Sequence, residues 1–257
     1  RMLCLRRSKF MVAGSKEAAS VIRRHGYKKD IYITPILGVS EELFFQRRDH
    51  VLRSKITPSP FVIGYVGRFV DQKGVMTLIE AVSKLSNDLD WHLVMVGNGP
   101  QLEFYKSTFI KLGIEKRVTI QPSVSHDEVP NYINCFDVLI LPSKTTKKWK
   151  EQFGHVLIEA MACGVPVIGS SSGEIPNVIG DSGLVFIEGD SNDLKEKLSV
   201  LAGDGALRES LIQKGLKRVK ERYTDRQIAA NMIALFEIAL NMERKTENTL
   251  VIERHEE

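Results

Sequence analysis

The sequence is poor in cysteine. Its 257 residues hold only Cys4, Cys135 and Cys163, too few and too scattered for a disulfide framework. With no CxxC pair and no HExxH there is no common zinc pattern, so no metal is expected and a reducing compartment is the natural setting. Long apolar runs are also missing. A stretch such as VLIL at 138–141 falls far short of the roughly 20 residues that a membrane helix needs. The opening RMLCLRRSKF lacks the continuous apolar region and small-residue cleavage site of a secretory signal, and a chain that opens on Arg1 reads as a fragment. Nor does one sign of charge dominate. Lys plus Arg number 36 against 32 Asp plus Glu, and a net charge of +4 does not argue for a nucleic-acid partner. Functional charge must therefore be local. What is present is 43% hydrophobic and 26% charged residues, the composition of a folded globular chain.

From Phe61 onward, short β-rich apolar runs alternate with segments of helical period, the pattern of a Rossmann-like α/β fold with a parallel sheet of about six strands flanked by helices. The expected strands are FVIGYV (61–66), WHLVMV (91–96), VTI (118–120), DVLILP (137–142), VPVIG (165–169) and GLVF (183–186). Between them, Gly113 suits a left-handed helix cap, and Ser125 with Glu128 fits a capping box. Helical patterns follow near 191–202, 206–222 and 225–242, and the polar tail 243–257 is expected to fray. Residues 1–60 hold one βαβ piece too small to bury its own core, read as the end of a preceding domain plus a linker. The expected divisions are thus 1–60, a ligand-binding domain at 61–225, and a C-terminal helix and tail at 226–257.

In an open parallel sheet, ligands sit beyond the carboxyl ends of the strands. Three loops there carry candidate chemistry. In GRFVDQKG, Gly67 permits close backbone approach, and Arg68 and Lys73 on either side of a short turn can converge on one anion. Taken alone, the pair reads more readily as a solvated turn before a helix than as an anion site, and a dinucleotide GxGxxG is absent. In GNGP, glycines around Asn98 leave backbone amides near a helix start, although this is also a common turn. The third loop, EQFGHVLIE, sets Glu151 and Glu159 eight residues apart. A wholly helical segment would separate them by about 12 Å along the axis. That is wider than the ~5–9.5 Å of a glycosidase carboxylate pair, so gripping two ends of an elongated ligand fits better. Phe153, Gly154 and His155 fall in the expected first helical turn, where free amides favour a phosphate. Glu159 lies among Ile158, Ala160 and Met161 and needs a polar partner if buried. A ligand hydroxyl would serve.

Taken together, GRFVDQKG, LILPS and EQFGHVLIEAMACGVPVI resemble the donor-binding half of a retaining glycosyltransferase of the GT-B shape, family 4, over about residues 11–242. The resemblance implies that Arg68 and Lys73 hold the donor diphosphate and stabilise it as leaving group, and that Glu151 contacts the donor sugar. By the same resemblance Glu159 binds ribose hydroxyls, Gly154, His155 and Val156 turn amides to the phosphates, and Val124 lines the base. His155 would contribute its backbone with the ring outward. Two departures stand out. Pro122 and Ser123 replace a glycine usual near the end of the third strand, and Ser171, Ser172, Gly173 and Glu174 are contiguous where many relatives space a glycine pair from a glutamate. Glu174 could as well cap the short helix near Pro176.

The reading that follows is transfer, with retention, of a sugar from a UDP-, GDP- or ADP-linked donor to a glycan, lipid-linked or other acceptor. No metal or other cofactor is expected, and this chain supplies the donor site and would be inactive alone. The implied setting is cytoplasmic polysaccharide biosynthesis, with peripheral contact at the inner membrane face left open for the full-length protein. Two alternatives are a sugar-nucleotide epimerase of similar shape and a non-catalytic nucleotide-sugar binding module. Lys144, Lys147, Lys148 and Lys150 around Trp149 read as a solvated face, with a lid or an attraction to a lipid-phosphate acceptor as the sharper option. Met161, Cys135 and Cys163 read as core.

Overall fold

The computed structural model describes residues 7–47, 50–240 and 253–254. They fall into two compact units, Glu41–Lys217 and a second made of Arg1–Ser40 with Arg218–Glu257.

The larger unit is built on six parallel strands, β3 (Phe61–Val66), β4 (Trp91–Val96), β5 (Val118–Gln121), β6 (Val138–Leu141), β7 (Val167–Ser170) and β8 (Leu184–Phe186). Their order across the sheet is β5-β4-β3-β6-β7-β8. The four central strands are buried along almost their whole length, whereas β5 and β8 at the edges are mostly half-buried. That difference explains why FVIGYV and WHLVMV read as continuous apolar runs: both faces of a central parallel strand are covered by helices. The flanking helices include α3 (Val75–Ser83), α4 (Leu102–Leu112), α5 (Val129–Ile133), α6 (His155–Ala162), α7 (Ile175–Ile179), α8 (Ser191–Gly203) and α9 (Gly205–Arg222). The core joins Ile63, Tyr65, Leu78, Leu93, Met95 and Ile140 with Leu198 of α8.

Local signals act as expected. Gly113 ends α4 in the left-handed region, and both hydrogen bonds of the Ser125–Glu128 capping box form. A helix that the pattern does not announce, α2 (His50–Ile56), is fastened to the sheet by Arg53, whose Nη2 donates to Asp137 Oδ2 at 2.6 Å.

The smaller unit has β1 (Met11–Ala13), α1 (Lys16–Arg24) and β2 (Ile31–Ile33) in the expected βαβ order, with β1 parallel to β2. Its last helix, α10 (Asp225–Ala239), is capped by Thr224 and buries Asn231, which donates to Thr34 Oγ1 at 3.1 Å. The apolar residues of this helix are unevenly covered: Leu235 is buried, Ile228 and Met232 are intermediate and Phe236 is exposed. In the tail expected to fray, β9 (Glu253–Arg254) pairs antiparallel with β2. The rest of that tail, Cys4, and the extension of the helical pattern to Met242 lie outside the described residues.

Candidate functional site

Strand order in the larger sheet reverses between β3 and β6, and in open parallel sheets the crevice beyond the carboxyl ends of such strands is where ligands bind. Charged side chains of the GRFVDQKG and EQFGHVLIE motifs meet there.

After β3 the chain makes a 3-10 turn at Asp71–Lys73, and Gly74 follows at φ +65°. A Cβ on Gly74 would stand 1.9 Å from the Pro142 carbonyl oxygen, so only glycine lets this turn lie against the loop after β6. The Lys144 N–H donates to the Gln72 carbonyl at 2.8 Å and completes the junction. Lys73 is thereby aimed across the crevice. Its Nζ lies 2.6 Å from Glu151 Oε2, and the same oxygen accepts from Ser143 Oγ at 2.7 Å.

Glu151 is fixed from behind as well. The Glu174 N–H donates to its carbonyl at 3.0 Å, and a Cβ on Gly173, at φ +55°, would stand 2.0 Å from that carbonyl oxygen. Gly173 thus has a physical task that its departure from the spaced pattern obscures. Glu174 makes no side-chain cap to α7, contrary to one of its two expected roles, and accepts instead from Asn177 at 3.1 Å. Ser143 is in turn held by Ser170, whose Oγ donates to the Ser143 carbonyl at 2.6 Å. Loops after β3, β6 and β7 therefore converge on one carboxylate.

The helix α6 starts at His155, with Gly154 as its left-handed N-cap and no side chain capping it. Glu151 and Phe153 precede the helix, so the two glutamates do not share one helical axis as supposed for the 12 Å separation. Val156 is half-buried in the first turn. Glu159 is 6% exposed, and the polar partner that its burial demands is an imidazole. His155 Nδ1 lies 3.0 Å from Glu159 Oε1, and His126 Nδ1 lies 3.9 Å from the same atom. The His155 ring meets Glu159 one turn along its own helix while its side chain stays 36% exposed, with the Phe153 ring 6.2 Å away.

A cavity of about 210 Å³ opens at the carboxyl ends of β3, β4 and β5. Val66, Gly67 and Arg68 line it from the end of β3, Val96, Gly97 and Asn98 from the end of β4, and Ser123 and Val124 from beyond β5, with Val129 on α5. It gathers four of the sequence candidates: Gly67, Arg68, Asn98 and Val124. Lys73, Glu151, Phe153, Gly154, His155, Val156 and Glu159 are not among its lining residues. Ser123, one of the departures, is. Arg68 is exposed, with its carbonyl accepting from Tyr65 Oη at 2.9 Å. Burial pushes the Tyr65 phenol well above its ordinary value, and the charges of Tyr105 and Glu151 push it the same way. Tyr65 is thus a neutral donor that fixes the Arg68 backbone.

Sequence reasoning missed Ser143, His126 and Trp149 as partners of the charged groups. Ser143 stood within the LILPS motif without a role, and nothing local marks a hydroxyl that will meet a carboxylate eight residues on. Among the described residues no group of three or more His, Cys, Asp or Glu side chains is arranged to hold a metal ion, and no helix is long and apolar enough to cross a membrane.

N-acetyl-alpha-D-glucosaminyl L-malate synthase of Bacillus anthracis is 29% identical over 202 residues, 77% of this chain and 51% of that protein. The chain spans about half the length of the curated relatives it matches. A solved C-terminal domain of a glycosyl transferase group 1 family protein, LpcC of Francisella tularensis, is 27% identical, with a TM-score of 0.65 over 73% of this chain and all of that one. Anabaena HepE in complex with UDP and glucose shares the fold at 20% identity, with a TM-score of 0.76 over 92% of this chain and 65% of that one. The family described as glycosyl transferases group 1 matches residues 47–218, which take in every strand of the six-stranded sheet and all the loops of the crevice, and the chain belongs to that family.

Proposed function

We propose that this chain supplies the donor-binding half of a retaining glycosyltransferase of the GT4 type, which moves a sugar from a nucleoside diphosphate sugar to a glycan, lipid-linked or other acceptor. The observation that carries the reading is the Lys73–Glu151 pair, 2.6 Å apart at the strand-order reversal, with Lys73 on the same loop as exposed Arg68. Support also comes from HepE, a protein of the same fold whose complex contains UDP and glucose.

As the bond between the anomeric carbon and the diphosphate oxygen breaks, negative charge collects on the diphosphate. Cations and amides already aimed at that position lower the barrier without reorganising. Arg68 brings a planar fork and Lys73 an ammonium with three donors, only one of which Glu151 requires. The start of α6 adds backbone amides and the positive end of its dipole. Glu151 keeps Oε1 for the hydroxyls of the donor sugar, and Glu159 faces the ribose. Val124 and Asn98 line the cavity that receives part of the nucleoside; at about 210 Å³ it is smaller than the ~300–1,000 Å³ of whole-ligand sites. Neither glutamate is placed as a nucleophile in this scheme. Retention would come from acceptor attack on the face that the diphosphate leaves, with the departing phosphate taking the acceptor proton. The scheme uses no metal.

Calorimetry with UDP-, GDP- and ADP-sugars, with and without EDTA, tests the reading. One of the three should bind equally in both conditions. Arg68→Ala should weaken that nucleoside diphosphate by about ten- to a hundredfold, the worth of a charge-assisted contact of ~1.5–3 kcal/mol, while leaving the bare nucleoside nearly unchanged. Failure of all three donors to bind would refute the proposal.

A further inference from the structure

The lysine-rich segment before Glu151 is not a featureless solvated face. Thr146 and Trp149 close a tight turn: the Thr146 N–H donates to the Trp149 carbonyl at 2.7 Å, and the Trp149 N–H donates to Thr146 Oγ1 at 3.0 Å. One residue earlier, the Thr145 hydroxyl donates to Glu188 Oε2 at 2.8 Å and lies 2.9 Å from Ser172 Oγ. These anchors lift Lys147 and Lys148 into solvent and fold half-buried Trp149 back toward the crevice. The Lys73 ammonium then sits 5.2 Å from the centre of the Trp149 ring, while its other side meets Glu151.

We infer that Trp149 is a positioning residue for Lys73, holding the ammonium by its ring face so that it is presented to an incoming diphosphate in one orientation. The inference rests on the proposed diphosphate role of Lys73. A lysine stem has four rotatable bonds, and an ion pair with one carboxylate oxygen restrains only the tip. An indole face attracts a cation within about 6 Å of its centre and does so without using up an N–H donor. The ring therefore adds a second restraint yet leaves the remaining ammonium protons for ligand oxygens. Its bulk also keeps water from one side of the Lys73–Glu151 pair, where Coulomb attraction is correspondingly less screened. Phenylalanine can fill this role in part, having a weaker quadrupole. Leucine can fill the space but offers no charged face.

The test uses the intact chain and calorimetry with UDP, GDP and ADP, then with the nucleoside corresponding to whichever binds. Trp149→Leu should weaken the diphosphate by about 2- to 30-fold, the range of a cation–π contact, with the nucleoside unaffected and Trp149→Phe recovering part of the loss. In a Lys73→Gln background the Trp149→Leu change should have no further effect on diphosphate affinity, because the partner it positions is gone. Equal diphosphate affinity in Trp149→Leu and the parent would overturn the inference. So would a parallel loss of nucleoside binding, or an undiminished Trp149→Leu effect in the Lys73→Gln background, since each means that the indole only packs. If Trp149→Leu does not fold, Trp149→Phe decides alone, by whether its partial loss is confined to the diphosphate. Failure of the parent to bind any of the three diphosphates would instead count against the proposed function.

Discussion

Ser143 shows what a single hydroxyl can do at the residue scale. Fully buried and uncharged, it donates to the same Glu151 oxygen that Lys73 approaches, and its own carbonyl is held by Ser170. Ser143→Ala should cost about 1–3 kcal/mol in urea unfolding, because a buried carboxylate loses a donor that water cannot readily replace. Cys163 makes the opposite case. Burial pushes its thiol up to about 12, so the thiolate is scarce at ordinary pH. Iodoacetamide at pH 8 should leave both Cys163 and buried Cys135 unmodified in the folded chain and label them after unfolding, as read by peptide mass spectrometry. The core role of Cys163 was legible from its apolar helix, whereas Cys135 stands between Asn134 and Phe136 with a weaker signal. Arg68, Lys73, Glu151 and Glu159 were singled out by the motifs that carry the family resemblance, and the structure places Lys73 against Glu151. The pairing of Lys73 with Glu151, and of Glu159 with His155, was not legible, since a sequence records which groups exist but not which loops the sheet brings together.

Elements set where those groups can point. The 3-10 turn carrying Lys73 leans on the loop after β6 through Gly74, so Gly74→Ala combines about 1–2 kcal/mol of left-handed strain with a backbone clash. Its expected effect is a lower melting temperature together with diphosphate affinity reduced more than nucleoside affinity, measured by calorimetry on the same preparation. Strand β4 carries a titrating group away from the crevice. Burial holds His92 below its ordinary 6.5, opposed in part by Asp90, while its Nε2 lies 2.8 Å from Thr119 Oγ1 on β5. Between the lowered folded value and 6.5 the unfolded chain binds more protons than the folded one, so stability is complete above about pH 6.5 and declines as pH falls through that window. His92→Gln should flatten this part of the pH dependence in urea titrations. Strand identity and order of appearance were readable from apolar runs, as were the βαβ opening and the capping box. The short helix α2 was not: its hold is the bridge from Arg53 to Asp137, and its own seven residues, HVLRSKI, carry too little periodicity to declare it.

At the scale of the whole molecule, every residue assigned to the donor lies within Glu41–Lys217. A protein of similar sequence, LpcC, has been solved as its C-terminal domain alone. Residues 41–217 produced by themselves should therefore unfold in one cooperative transition and bind the nucleoside diphosphate within a few-fold of the full chain; loss of binding would show that the second unit contributes to the site. The balance of charge in the crevice bears on how fast a donor arrives. Lys73 and Glu151 cancel one another at long range, whereas Arg68 and the raised Lys147 and Lys148 face solvent. On the proposed function, a diphosphate several ångströms out would be drawn in mainly by these three, and the paired lysine would act only after arrival. Neutralising Lys147 and Lys148 should slow association and shallow its salt dependence in stopped-flow measurements, while Lys73→Gln should mainly hasten departure. On that reading, capture of the ligand would fall to solvent-facing cations and its retention to a lysine held in an ion pair.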